Sequence, residues 1–330
     1  MANRKDIPVL NVNTRLNLKR NVIKTFIARI PKSHLLVFGK IMGTLLYYFA
    51  VPQRRNVDRN LRFSNIESSP QQIQRLAKRI FQHFGITIME LLQMACLFQQ
   101  ELASKMRIEG AEILIEALAR QKGAVLITAH LGNYEMAAQA MPCLFGMQIA
   151  SVAKKLRNAR LNRLIHSLRT RFGNRVIYKK GALPEMMQTL RQGGLVTILM
   201  DISRRFEGVE VNFFGRRATA TPAAALLGLR CKSPIIPAFC HRNPEGDLIV
   251  QMEPPVEIQR TNDLRSDLQI NTQLITDRVE RAVRNYPEQW NWMLKRWKEF
   301  YPGLYPESKK RLERIKKKEK RSRKKSTRAA

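Results

Sequence analysis

The stretch GAVLITAHLGNYEMAAQAM, Gly123 to Met141, changes its hydrophobic period half-way along. Ala124 to Ala129 is a short apolar run rich in strand formers, and the residues from Tyr134 onward have helix composition after a Gly-Asn start. A strand ending at Ala129 puts His130 at its carboxyl end, and a helix starting near Tyr134 puts Glu135 in the first turn. Gly132 removes a Cβ where the chain must reverse. His and Glu avoid apolar interiors unless they are paired, so the two residues call for a common reason. One reading is that the Glu135 carboxylate orients the His130 imidazole, leaving the other ring nitrogen to take a proton from a hydroxyl as a general base. The other is a structural His–Glu hydrogen bond. His34, His83, His166 and His241 have no acid five residues later, and none of them ends an apolar run before a glycine turn.

The strand-then-helix unit recurs around this one. IASVAKK precedes RNARLNRLIHSLRTRFG, NRVIYKK precedes LPEMMQTLRQGG, LVTILMD precedes the VEVNFFG segment, and TPAAALLGLRCKS precedes PIIPAFC. Strands alternating with helices in one compact stretch predict an α/β fold, a central and mostly parallel sheet flanked by helices on both faces. Asp201 closes LVTILM, so on this reading it shares the sheet's carboxyl edge with His130, where open α/β sheets bind ligands. Upstream, SSPQQIQRLAKRIFQHFGITIMELLQMA opens with Ser69 as a cap and Pro70 at the first helical position. Ile73, Leu76, Ala77, Ile80 and Phe84 then follow at helical spacing, which predicts a long amphipathic helix.

A chain of 330 residues that is 44% hydrophobic can bury a sizeable core and is not a disordered chain. Cys96, Cys143, Cys231 and Cys240 lie far apart without zinc-site spacing, which points to a reducing compartment and to neither a metal nor a disulfide framework. No cofactor is expected. The net charge of +33 predicts anionic partners. Lys309 to Arg328 supply +11 of it, leaving +22 for the body. The tail reads equally as a solvated end, a nucleic-acid contact or a contact with anionic lipid head groups.

The first twenty residues are polar and basic without an apolar core, so no cleavable signal peptide is expected. Leu35 to Val51, LLVFGKIMGTLLYYFAV, follows, interrupted only by Lys40. Its seventeen residues are at the lower edge for a spanning helix, and a central Lys costs about 2.5–3.5 kcal/mol on insertion. An interfacial anchor flanked by basic residues fits it, and so does a buried core helix. Gly39 and Gly43 form a GxxxG that carries little weight at this length. The expected organisation is an N-terminal segment with an anchoring helix over 1–52, a catalytic domain over 53–305, and a basic tail over 306–330.

HLGNYE resembles the His-x4-Asp/Glu motif of the glycerolipid acyltransferases, in the form typical of the bacterial lipid A biosynthesis (lauroyl/myristoyl) acyltransferases. RRNVDRNLRF, LNRLIHSLRTRFG, LRQGGLVTILMD, GVEVNFFGRRATATPAAALL and YPEQWNWMLKRWK are similar to successive blocks of that family, in the same order. The resemblance spans roughly Leu35 to Tyr305. It implies acyl transfer from acyl carrier protein, or from coenzyme A, to a hydroxyl of a phosphorylated glycolipid at the cytoplasmic face of the inner membrane. His130 would be the base and Glu135 its orienter, with no covalent enzyme intermediate. Arg169 and Arg171 match the family's basic pair, and Asp201 matches its aspartate. Arg169 is the favoured substrate contact, with Arg171 behind it. Asn133, Phe214 and Thr221 lie in the matching blocks and complete the expected substrate-binding set. Two departures, Ile202 where many members have Gln or His and Pro222 in place of a small glycine, bear on which lipid is the acceptor.

The Phe213–Phe214–Gly215 turn reads as an acyl-groove wall or as a plain core turn. Trp290, Trp292 and Trp297 suit an interfacial belt or a helix that packs its indoles inward. No GxSxG elbow, P-loop or GxGxxG is present; Ser151–Lys154 fits S-x-x-K but lacks the SDN and KTG partners. The reading from another class is a basic nucleic-acid-binding protein, but the chain offers no helix-turn-helix, zinc-finger or RNP signature, and no nucleic acid is expected as a partner.

Overall fold

Within the hydrophobic run that follows the Gly123 turn, every residue of the strand is apolar up to Thr128, as a strand covered on both faces requires. A computed structural model of the chain describes residues 22–307 apart from 157, 180 and 205–207; the basic tail lies outside them. Five helices come first: α1 (Val22–Ala28), α2 (Lys32–Phe49), α3 (Val51–Ser64), α4 (Pro70–Met94) and α5 (Gln99–Ala103). The α/β body continues with β1 (Met106–Glu109), α6 (Ala111–Ala119), β2 (Ala124–Thr128), α7 (Tyr134–Phe145), β3 (Ile149–Ala153), α8 (Ala159–Thr170), β4 (Arg175–Tyr178), α9 (Ala182–Arg191) and β5 (Leu195–Leu199). It closes with β6 (Val209–Phe213), β7 (Arg216–Ala220), α10 (Ala223–Cys231), β8 (Ile235–Arg242), β9 (Leu248–Met252) and α11 (Leu264–Asn285).

Seven strands form one sheet in the order β1-β9-β8-β2-β5-β3-β4. All pairs are parallel except β8 with β9. The side chains of β2 divide between two cores, Val125 and Ile127 on one face, Ala124 and Leu126 on the other. Parallel sheets need this burial on both sides, and the mostly parallel architecture read from the sequence is the one observed. The VEVNFFG segment is a correction: it stands where the pattern called for a helix, but with β7 it forms a separate antiparallel hairpin, packed on α11. The edge strand β1 and its neighbour β9 also escaped the sequence pattern.

Ser69 caps α4, accepting from Gln72 N at 3.2 Å while the Gln72 side chain accepts from Ser69 N, a reciprocal capping box. The Gly39–Gly43 pair has a use the sequence did not reveal. α2 buries Leu35, Gly39, Gly43 and Tyr47 along one stripe against α4. A Cβ on Gly39 would stand 2.5 Å from Ile86 Cα, and one on Gly85 would stand 2.6 Å from Gly43 N. The two backbones therefore touch, which only glycine permits. The opposite face of α2 leaves Val37, Phe38, Ile41, Leu45, Tyr48 and Phe49 exposed. No single described helix is long and apolar enough to cross a membrane; α2 and α3 reach that length only as a pair bent by 91°.

Replacing Gly85 with valine should lower the unfolding free energy by about 1–3 kcal/mol, the usual cost of overpacking. Gly303→Val, whose Cβ meets nothing within 4 Å, should stay within about 0.5 kcal/mol of wild type. Equal midpoints for the two variants in denaturant titration in detergent would show that α2 is not seated on α4 this way.

Candidate active site

Parallel pairing of β2 with β5 brings Thr128 opposite Leu199, and Met200 N donates to Thr128 O at 2.9 Å. His130 and Asp201, each two residues past the paired ends, therefore meet at the sheet's carboxyl edge. The Asp201 carboxylate accepts from the His130 backbone N–H and stands against the imidazole Nδ1, both at 2.8 Å. Its second oxygen also accepts from Trp290 Nε1 at 2.8 Å. Gly132 makes the turn possible: its φ is +57°, and a Cβ there would collide with the carbonyl of Cys240.

This is where the geometry departs from the sequence reading. The hydrogen-bonded partner of the imidazole is Asp201, and Glu135 is instead held by Arg169, whose Nε donates at 3.0 Å and whose Nη2 makes a second, shorter bond. Glu135 acts on His130 only through its charge. The cause is local: with α7 starting at Tyr134, Glu135 projects from its first turn toward α8. The side of His130 toward β5 is left to Asp201.

Burial disfavours a charged imidazole, but the Asp201 carboxylate outweighs it, Glu135 adds to the effect, and the net proton affinity of His130 is raised. Burial likewise opposes the Asp201 anion, and the His130 charge and the bonds it receives still hold it below its ordinary range. An ionised carboxylate only accepts, so the neutral imidazole carries its proton on Nδ1 and presents a lone pair at Nε2. Arg296, 1% exposed, lies within electrostatic reach of Asp201; its guanidinium, pushed down to about 10 by burial, donates to Thr219 O.

The remaining expected residues have other duties. Asn133, fully buried, caps α7 by accepting from Met136 N at 3.1 Å and donates to Glu90 at 2.9 Å. Arg171 turns away to the end of α4, donating to the carbonyls of Met94, Ala95 and Leu97. Phe214 packs on Phe213 and Trp292, with Arg284 over its ring, and Thr221 accepts weakly from Ala223 N at the start of α10. None of these four lines a cavity at His130. The three tryptophans are buried, but on turns rather than a helix. Sequence reasoning missed Trp290 and Arg296 as supports of Asp201, although both stand in the YPEQWNWMLKRWK block that was singled out.

A cavity of about 240 Å³ opens on His130, floored by β2, β5, β3 and β4 and roofed by α8. Val152, Leu156, Ile165, Leu199 and Ile202 give it apolar walls, and Lys154, Arg169 and Arg175 supply cations. Among the described residues no cluster of His, Cys, Asp and Glu is arranged to hold a metal ion.

Residues 17–299 match the family described as bacterial lipid A biosynthesis acyltransferase. The chain belongs to that family. It is 26% identical over 211 residues to the lipid A biosynthesis myristoyltransferase of Escherichia coli (strain K12), an alignment covering 63% of this chain and 64% of that protein. It is 25% identical over 194 residues to the phosphatidylinositol mannoside acyltransferase of Mycobacterium tuberculosis (strain ATCC 25618 / H37Rv), covering 58% of this chain and 59% of the relative. The lipid A biosynthesis lauroyltransferase of Escherichia coli (strain K12) matches at 23% over 278 residues, 82% of this chain and 88% of the relative. The match thus spans somewhat less than two thirds of the length of the first two, and in this member of the lipid A acyltransferase family His130 and Glu135 occupy the HLGNYE motif, with Asp201 bonded to His130 and Arg169 to Glu135.

If Asp201 sets the proton affinity of His130, Asp201→Asn removes the stabilising anion and leaves the opposing effect of burial. The imidazole should then titrate at lower pH than in the wild type, as read by NMR of ¹⁵N-histidine-labelled protein. An unchanged titration would mean that Asp201 does not govern His130.

Proposed function

We propose that the chain is a membrane-associated O-acyltransferase that moves a fatty acyl chain from an acyl carrier protein thioester, or a coenzyme A thioester, to a hydroxyl of a lipid A precursor. The observation that carries this reading is the fixed imidazole of His130. With Nδ1 engaged by Asp201, Nε2 is the nitrogen left to accept a proton, and His130 lines a cavity with apolar walls and cations.

Nε2 takes the proton of the acceptor hydroxyl as that oxygen attacks the thioester carbonyl carbon. The tetrahedral intermediate collapses, the C–S bond breaks, and the imidazolium returns the proton to the leaving thiolate. The products are an ester and a free thiol, and no residue is acylated. Asp201 stabilises the transient imidazolium and fixes its tautomer. Arg169, held by Glu135 in the cavity lining, offers positive charge to a donor phosphate or to the developing oxyanion. The basic body, +22 without the tail, favours encounter with an acidic carrier protein and a phosphorylated lipid.

The exposed apolar face of α2, together with Val22 and Phe26 of α1, supports shallow attachment to the cytoplasmic face of the inner membrane, with basic residues nearby to meet anionic head groups. A second reading keeps the chemistry and changes the acceptor to another glycolipid. It is favoured by the phosphatidylinositol mannoside acyltransferase among the relatives and by Ile202, an exposed apolar residue of the cavity lining.

Acyl transfer from radiolabelled acyl carrier protein to a host lipid extract should label a glycolipid. His130→Ala should lower the rate by about 10²- to 10⁴-fold, the usual contribution of a positioned base. In the wild type kcat/KM should rise with pH through the raised pKa of His130, because only the neutral imidazole accepts the proton. Equal labelling by wild type and His130→Ala would end this mechanism. Ile41→Glu combined with Leu45→Glu should reduce binding to anionic vesicles at least about tenfold, since each buried aliphatic side chain is worth about 1.5–3 kcal/mol; unchanged co-sedimentation would exclude this face as the attachment surface.

A further inference from the structure

Two cavities open on His130. The second, of about 170 Å³, shares His130, Tyr134 and Glu135 with the larger one but is walled by α4 and by residues 289–293. Its lining contains no Lys or Arg, in contrast to Lys154, Arg169 and Arg175 of the larger cavity. Four α4 residues spaced four apart, Ile80, Phe84, Ile88 and Leu92, lie in one row along the helix. The first three line the cavity, and the row emerges at the surface, with Phe84 37% and Leu92 55% exposed. The neighbouring stripe of α4, with Phe81, Gly85 and Ile86, is the one that seats α2 and its exposed apolar face. His83, in the same lining, is buried and pushed down to about 3 by burial and by Arg242, so it stays neutral at ordinary pH.

We propose that this second cavity receives a hydrocarbon chain of the acceptor lipid, entering sideways from the bilayer along α4, while the acyl thioester occupies the larger, cation-bearing cavity. The proposal rests on the acyltransferase reading above. Transfer between two substrates requires both reacting groups at one base, and His130 is common to the two linings. A donor that carries a phosphate is matched by cations, which the larger cavity has. A hydrocarbon chain is matched by the apolar α4 side of the cavity, where Ile80, Phe84, Ile88 and Leu91 lead to exposed apolar surface; the one acid of the lining, Glu135, is shared with the larger cavity.

The test uses full-length protein in detergent micelles with acyl carrier protein thioesters of ten to sixteen carbons, a lipid A precursor, and the same head group bearing only four-carbon chains. Ile88→Trp and Leu91→Trp fill the cavity. Each should raise KM for the full-length acceptor at least tenfold, leave the preferred donor chain length unchanged, and keep the rate on the short-chain acceptor within twofold of wild type. Unchanged KM for the long acceptor, or a shift in donor preference, overturns the proposal. On the wild type, an acceptor carrying a diazirine near the end of its chain should label peptides containing residues 80–91 or 289–293. Label confined to residues 151–178 overturns the proposal even where a tryptophan variant fails to fold. Failure of the underlying reading looks different: wild type then transfers no acyl chain to either acceptor.

Discussion

A carboxylate that is 1% exposed costs several kcal/mol unless its oxygens are satisfied, and Asp201 is satisfied only when three distant parts of the chain come together. The end of β2 brings the backbone N–H and imidazole of His130, the end of β5 brings Asp201 itself, and the turn after α11 brings the indole of Trp290. Arg296 adds buried positive charge from that turn and is anchored to Thr219 of the β6–β7 hairpin. Each element is fixed by the anion it serves. The rotamer of His130 is therefore a property of the whole sheet edge and not of the HLGNYE turn alone.

The segment from 287 to 305 shows how far this dependence extends. It forms a bridge between Leu131 and Trp290, donates from Asn291 N to His130 O at 2.9 Å, and accepts from Gly132 N at Gln289 O at 3.0 Å. Gln289 makes two further bonds to the backbone of Arg242. Asn60 of α3 donates to the carbonyls of Trp292 and Leu294 and accepts from the Tyr305 hydroxyl. An irregular stretch can be buried only if its backbone is satisfied in this way. A second buried system lies beneath the turn, where Glu90 of α4 receives both Arg242 and Asn133. The helix that carries the apolar row and the turn that carries His130 are thus tied through one carboxylate.

The parts of this arrangement that were legible in sequence are those encoded by local periodicity. The alternation of apolar runs with amphipathic stretches placed β2 to β5 and α7 to α10, and the Ser69–Pro70 start placed α4. His130 and Asp201 were both put on the carboxyl edge because each ends such a run. Their pairing was not legible, since 71 residues separate them, whereas Glu135 lies within one turn and draws attention by nearness. VEVNFFG stood in a helix's place in the alternation, but its apolar residues recur at every second position, the period of a strand, and it pairs with β7 as a hairpin outside the main sheet. The contact between α2 and α4 escaped because a GxxxG acquires meaning only when a partner helix also offers a small residue, here Gly85.

Two carboxylates near one imidazole raise the question of why both are needed, and their surroundings answer it. Asp201 is buried, makes the hydrogen bonds and fixes the tautomer. Glu135 is partly exposed, lacks a bond to the ring, and is paired with Arg169, whose own charge lowers the proton affinity of His130 while that of Glu135 raises it. The charges of Glu135 and Arg169 thus oppose one another at the imidazole, and both rank behind burial and Asp201 among the influences on it. What the pair adds is position: it ties the first turn of α7 to the last turn of α8 and so holds the roof of the larger cavity against His130. The glutamate five residues after the histidine thus belongs to the frame of the cavity, while the carboxylate bonded to the His130 ring comes from an aspartate that the motif does not contain.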